Sequence, residues 1–184
     1  MPYHIWAGQE DVAPLVVGVG DPSRARLFAS LMENARLVNE NRYPVYTGHV
    51  GNKRISVVAH GIGGPSAAIA LEELKMLGME TFVRIGTAGS FGELRVGDVL
   101  IAAAAAAPGG GVLGAYFPGH SPPLAADPLL TVKLAEALKA PVGYVVSSDA
   151  FYAEDPGFVE FWRRRGALAV EMECATAMAL GWLR

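Results

Sequence analysis

Short, unbroken apolar runs that end in glycine plus a polar residue recur along this chain, and they restrict its fold more than any other feature. "LVVGV" (15 to 19) leads into "GDPS", "RISVVAH" (54 to 60) into "GIGGPS", and "TFVRIG" (81 to 86) into "TAGSFGEL". "DVLIAAA", "VGYVVSS" and "ALAVEM" supply further runs of the same kind. Helix-forming stretches separate them: one beginning near Arg24, "AAIALEELKMLG", and the closing "ECATAMALGWL". Continuous apolar strands alternating with helices predict an α/β layer structure, its largely parallel sheet covered on both faces. With 184 residues and no repeat period or low-complexity linker, the chain reads as one domain.

Charge and cysteine usage narrow the class of partner. Fifteen basic residues face eighteen acidic ones with no Lys/Arg run, which argues against nucleic acid. The single cysteine, Cys174, precludes an internal disulfide framework and suits a reducing cytoplasm; its place in an apolar helix marks it as core. The segment "MPYHIWAGQEDVAP" has no basic stretch followed by an apolar one, so secretion is not expected. Residues 99 to 119 carry no charge and are long enough to span a bilayer, but Pro108 and Gly109 to Gly111 break any continuous helix. A strand followed by a small-residue loop is expected there, not a membrane span. One Gln and one Cys in the chain hint at a thermophilic source.

In open α/β sheets ligands gather at the carboxyl ends of strands, so the glycine-polar junctions are the candidate sites. In "VVGVGDPSRA", Gly20 permits close backbone approach and Pro22 sets the turn before a helix N-terminus. Arg24 adds a guanidinium fork suited to oxyanions; an ordinary strand-to-helix turn with a surface arginine is the alternative. Neither "GVGDPS" nor "GIGGPS" completes G-x-G-x-x-G, and no phosphate-binding G-x-x-x-x-G-K-[ST] occurs. Arg84 lies inside an apolar strand two residues before Gly86 and three before Thr87. It reads either as a second anion contact, with Thr87 donating beside it, or as one half of a buried ion pair.

Glu171 and Glu173 stand in the apolar run "ALAVEMECATAMALGWLR". On a strand they share a face, and on a helix they diverge. A carboxylate in apolar surroundings requires several donors, which a sugar diol or a buried ion pair could supply. Two acids this close rarely straddle a glycosidic bond, so glycosidase chemistry is discounted. His4, His49, His60 and His120 show no metal-binding spacing. Ser66 in "GGPSA" lacks the last glycine of a nucleophile elbow, and Phe151 and Tyr152 could stack on a flat ring or simply pack.

Taken together, "GDPSRA", "HGIGGPSAA", "RIGTAGS", "SSDAFYAED" and "VEMECA" resemble, in order, the signatures of the nucleoside phosphorylase family of small-subunit hexameric type. The resemblance spans nearly the whole chain and is nearest to archaeal and thermophilic purine and 5′-methylthioadenosine phosphorylases. It implies phosphorolysis of a ribonucleoside to free base and ribose 1-phosphate, with inorganic phosphate as co-substrate, no cofactor and no metal. It also implies a cytoplasmic homohexamer, a trimer of dimers. Carried onto matching residues, it assigns phosphate to Gly20, Arg24, Arg84 and Thr87, with Arg42 lent by a neighbouring subunit. Met172 and Glu173 would hold the ribose, with His4 reaching the partner subunit's site, and Gly89, Phe151 and Val170 would line the base pocket.

Two departures qualify these expectations. Family members continue into another strand, a Ser-Asp motif and a final helix; this sequence stops at Arg184, so it is expected to lack that last strand and helix and the Asp that assists the leaving base. Uridine phosphorylases carry a Gln and an Arg just after the aromatic pair, where Asp155 and Gly157 stand here, which favours a purine. The alternatives are a uridine phosphorylase, or a shortened paralogue that binds nucleoside without turnover. A nucleosidase is disfavoured by the intact "GDPSR" motif.

Overall fold

The computed structural model describes residues 2–153 and 155–184. It consists of two compact units, one ending at Gly86 and taking in Arg184, the other running from Thr87 to Leu183. Among the described residues nine strands divide between a five-stranded and a four-stranded sheet, each mixed and accompanied by helices. This is the expected α/β class, with the strands shared between two sheets.

In the first unit the sheet order is β2 (Glu33–Asn39), β3 (Val45–Val50), β4 (Lys53–Ala59), β1 (Leu15–Val19), β5 (Thr81–Arg84). The three runs that sequence marked as strands, β4, β1 and β5, are parallel neighbours, so their carboxyl ends emerge side by side. Val16, Val19, Val57 and Val58 are wholly buried, as continuous apolar runs require when both faces are covered. Helices α1 (Pro22–Ser30) and α2 (Gly64–Met76) follow β1 and β4. The first begins two residues earlier than the sequence suggests. Asp21 caps it, its carboxylate accepting from the N–H of Ser23 at 2.7 Å and of Arg24 at 3.3 Å, and Pro22 occupies the first turn.

The second unit orders its sheet β6 (Gly89–Ser90), β9 (Ala169–Glu171), β8 (Val142–Ser147), β7 (Ile101–Ala106). Helices α3 (Leu113–Tyr116), α4 (Pro128–Leu138), α5 (Phe158–Arg163) and α6 (Cys174–Leu183) complete it. Phe91, Val146 and Ala167 form one core cluster against Phe158 and Trp162, and Leu113, Ala175 and Ala179 form another. The uncharged stretch at 99–119 is strand β7, then a glycine loop and a four-residue helix. Among the described residues no helix is long and apolar enough to cross a membrane.

Candidate active site

The carboxyl ends of β4, β1 and β5 bring together Gly20, Arg24, His60 and Arg84. Arg24 enters from the first turn of α1, half-buried, and a Cβ placed on Gly20 would lie 3.6 Å from its Nη2 and 3.4 Å from the Gly61 carbonyl. Position 20 therefore has backbone open between a guanidinium and a second strand end. Arg84 ends β5 in register with Gly18 of β1. Its guanidinium is close enough to Gly86 that a Cβ there would come within 2.8 Å of Nη1, so glycine at 86 lets the arginine fold back over the chain. One permanent cation in the first turn of α1 and another at the end of β5 thus stand at neighbouring strand–helix junctions, and guanidinium groups in such places suit oxyanions.

His60 was passed over by sequence reasoning, which asked only about metal spacing. It follows β4, is 0% exposed, and its N–H donates to the Val19 carbonyl at 2.8 Å. Its Nδ1 lies 2.9 Å from the Gly61 carbonyl, an acceptor only, so the ring proton resides on Nδ1. Nε2 has no hydrogen-bond partner among the described residues. Burial, and then the charge of Arg84, push the imidazole down to about 4, so it is neutral at physiological pH. The signal was a histidine placed between an apolar strand and a glycine turn. Ser66 is used structurally: its hydroxyl donates to the His60 carbonyl at 2.7 Å.

His4 and Arg42, the two residues expected to serve a neighbouring subunit, are tied to one locality. Asn41 donates to the His4 carbonyl at 3.1 Å, and Arg42 beside it is exposed with φ of +28°. His4 rests on Glu73, a lone acid on the buried face of α2 that the sequence reading missed. The Glu73 carboxylate accepts from the N–H of His4 at 2.8 Å, from that of Ile5 at 2.8 Å and from His4 Nδ1 at 2.7 Å. The imidazole, 29% exposed, is thereby held with Nδ1 inward and Nε2 presented away from the carboxylate.

This arrangement has a pH signature. Burial pushes the Glu73 carboxyl up, but the His4 ring and the N–H groups of His4, Ile5 and Tyr3 outweigh it and hold it below its ordinary value of 4.5. A depressed folded-state pKa contributes stability in full above the unfolded value and loses it as pH falls through the folded one. Acid unfolding of the wild type is therefore expected to steepen below about pH 4.5. Glu73→Gln should remove that component and cost about 1–3 kcal/mol at pH 7 in urea denaturation. An unchanged acid limb in the variant would refute this role.

In the second unit the two acids take different parts. Glu171 ends β9, 7% exposed, and its Oε2 accepts from the N–H of Glu173 at 2.8 Å and of Cys174 at 2.9 Å. Its other oxygen accepts from the Ser147 hydroxyl, which itself accepts from the Ala175 N–H at 2.9 Å. Glu171 thus fastens the start of α6 to the ends of β8 and β9, and this fixes it as a structural group. Glu173, 5% exposed, lies in the bend between them.

Gly89 pairs with Val170 across β6 and β9, and a Cβ on the glycine would come within 3.3 Å of Val170 Cγ1. The structure thereby joins two of the three residues expected to line a base pocket. Phe151 is 76% exposed and packs edge-on against Tyr152, with ring centroids 4.9 Å apart. Thr87 is exposed. Met172 lines a cavity of about 10 Å³ with Ser147, Asp149 and Thr176, room for about one water and none for a base. Asp155 accepts from the Gly157 N–H at 2.9 Å and so closes its own turn ahead of α5. Glu154 of "SSDAFYAED" lies outside the described residues. No cluster of three or more His, Cys, Asp or Glu suited to a metal ion occurs among the described residues.

A model of the phosphorylase superfamily matches residues 14–182. A guanosine phosphorylase of Halorubrum lacusprofundi is 35% identical over 96% of this chain and 76% of its own length. A DeoD-type purine nucleoside phosphorylase of Caldanaerobacter subterraneus is 36% identical over 95% of this chain and 79% of its own. The crystal structure of uridine phosphorylase from Vibrio fischeri superposes with a TM-score of 0.93 at 32% identity, covering 99% of this chain and 79% of that one.

Proposed function

The chain belongs to the phosphorylase superfamily, and we propose that it catalyses reversible phosphorolysis of a ribonucleoside, preferentially a purine one, to free base and ribose 1-phosphate. The observation that carries this is the placing of Arg24 beside the open backbone of Gly20 while Arg84 ends the neighbouring strand β5, so that the charges of both act on the buried His60 ring. A hydrolytic relative that uses water has no need of two cations at neighbouring strand–helix junctions. In this assignment Gly20, Arg24, Arg84 and Thr87 take phosphate, with Arg42 of a neighbouring copy. Met172 and Glu173 take the ribose hydroxyls, His4 serves the partner's site, and Gly89, Phe151 and Val170 face the base. Inorganic phosphate is the co-substrate, and the assembly is a cytoplasmic homohexamer.

The chemistry follows from charge. As phosphate attacks the anomeric carbon and the bond to the base lengthens, positive charge grows on the sugar. A phosphate held beside it by two arginines stabilises that charge electrostatically. Holding both reactants together removes much of the entropic barrier, worth up to about 7–11 kcal/mol in favourable cases. The departing base takes up negative charge and gains from a proton or a hydrogen bond. By the resemblance, Asp155 takes the position of a uracil-clamping side chain of uridine phosphorylases; here it accepts from the Gly157 N–H, which supports the purine reading.

The test is base release from inosine, 5′-methylthioadenosine and uridine, with and without inorganic phosphate. Phosphate-dependent release, greatest with a purine nucleoside, is the expected result. Release without phosphate would overturn phosphorolysis, and faster release from uridine would overturn the base preference. Nucleoside binding with no release would instead support a binding protein without turnover.

A further inference from the structure

We propose that Glu73 is a positioning residue for the sugar: its carboxylate fixes the proton of His4 on Nδ1, so that Nε2 reaches the partner subunit's site as an acceptor and selects nucleosides with a free 5′-hydroxyl over those without one. This rests on the assignment of His4 to the partner's site above and adds to it a buried group that touches no substrate. The other buried residues of α2 are glycine, alanine and leucine, and a carboxylate among them is costly unless donors surround it. Oε1 accepts from the His4 ring Nδ1 at 2.7 Å and from the His4 N–H at 3.1 Å. Oε2 accepts from the same N–H at 2.8 Å and from that of Ile5 at 2.8 Å. The ring itself is packed edge-on against Tyr3 and Tyr43, with centroids 5.3 and 5.9 Å away, and Asn41 holds the His4 carbonyl.

Meeting two backbone N–H groups needs only a carbonyl oxygen, which a glutamine would bring. The carboxylate differs in that it can only accept. A glutamine amide could turn its NH2 toward the ring and let the imidazole proton move to Nε2. An ionised Glu73 allows no such exchange, and the donors around it hold its carboxyl below its ordinary value. The place of that proton decides what the ring recognises. A neutral imidazole protonated on Nδ1 offers a lone pair at Nε2, whose match is an O–H. A ribonucleoside carries a 2′,3′ diol and a 5′-hydroxyl. The diol is the part given to Met172 and Glu173 in the assignment above, which leaves the 5′-hydroxyl for His4. A 5′-deoxy or 5′-thioether sugar has no proton to give there. Glu73 thus acts on the sugar through the imidazole and does not touch it.

The measurement is the ratio of kcat/KM for inosine to that for 5′-deoxyinosine in the wild type, His4→Ala, Glu73→Leu and Glu73→Gln. The wild type is expected to favour inosine about tenfold or more, the worth of one well-placed hydrogen bond. His4→Ala and Glu73→Leu should each bring the ratio to within about twofold of one, and Glu73→Gln should fall between. Adding Glu73→Leu to His4→Ala should change the ratio no further, because both act through one ring. A merely structural Glu73 would lower the yield of active protein and reduce both rates alike. An unchanged ratio in Glu73→Leu, or a wild-type ratio near one, would therefore overturn the proposal. Release without phosphate would instead remove the phosphorolysis assigned above and leave the ratio as readable as before. Binding without release moves the same comparison to the two dissociation constants. Should Glu73→Leu fail to fold, ¹⁵N chemical shifts of the wild-type His4 ring in its neutral form decide the matter. A proton on Nδ1 is expected, and a proton on Nε2 would overturn the proposal.

Discussion

Replacing Glu171 with alanine is expected to lower the melting temperature by roughly 10 °C, a stability loss of about 3–5 kcal/mol. The carboxylate serves the Ser147 hydroxyl and two backbone N–H groups, those of Glu173 and Cys174. Truncation leaves these largely buried donors without their acceptor, at about 1–3 kcal/mol each before relaxation. Glu171→Gln keeps one carbonyl oxygen in place and should lose less than half as much. Thermal unfolding of the three proteins side by side checks this. A melting temperature within about 2 °C of wild type for the alanine variant would show that α6 starts without its carboxylate.

Arg84→Ala is expected to have the largest effect on activity, reducing kcat/KM for phosphate at least thirtyfold, or about 2 kcal/mol, with a smaller effect on the nucleoside KM. The arginine ends β5 beside β1 and, with Arg24 of α1, supplies the two permanent positive charges that act on the His60 ring, so its loss halves that charge. Arg84→Lys keeps the charge but loses the planar fork, and should fall between the two. Steady-state kinetics with phosphate as the varied substrate gives the answer. A variant whose phosphate KM and kcat both match the wild type would place the anion elsewhere.

Much of this arrangement was visible in the sequence because its signals are local. β1 coincides with "LVVGV", β5, β8 and β9 fall inside the apolar runs that mark them, and β4 and β7 overlap theirs, β4 starting one residue earlier and β7 running two residues further. A fully buried strand must be apolar throughout, and that is easily recognised. β2 escaped notice for the opposite reason: "ENARLVN" is largely exposed, carries two register shifts, and is a strand only because β3 pairs with it. No pattern in its own residues reports a partner. The start of α1 was placed late because the arginine drew more attention than the Asp21 cap before it.

At the site, Gly20, Arg24 and Arg84 were legible as glycine-polar junctions at strand ends. His60 and Glu73 were not, because one is buried at a strand end and the other accepts from residues 68 and 69 positions away, and neither placing has a sequence spacing. The two acids of "VEMECA" illustrate the same limit. Sequence shows two carboxylates among apolar residues but not that Ser147, 24 residues before Glu171, has been brought up to meet the first of them.

The division between Glu171 and Glu173 also bears on how such a chain can diverge. On β9 two different commitments alternate: Glu171 holds three donors, while Val170 faces Gly89 across the sheet edge and packs against the cluster of Phe91, Val146 and Ala167. Drift among apolar side chains at position 170 changes the shape beside Gly89 and keeps the packing against that cluster, so a lineage can explore it one substitution at a time. Drift at position 171 loses the helix start first, and selection removes it before any new ligand is tried. New specificities in relatives of this chain should therefore accumulate on one side of a three-residue strand and leave the other side unaltered.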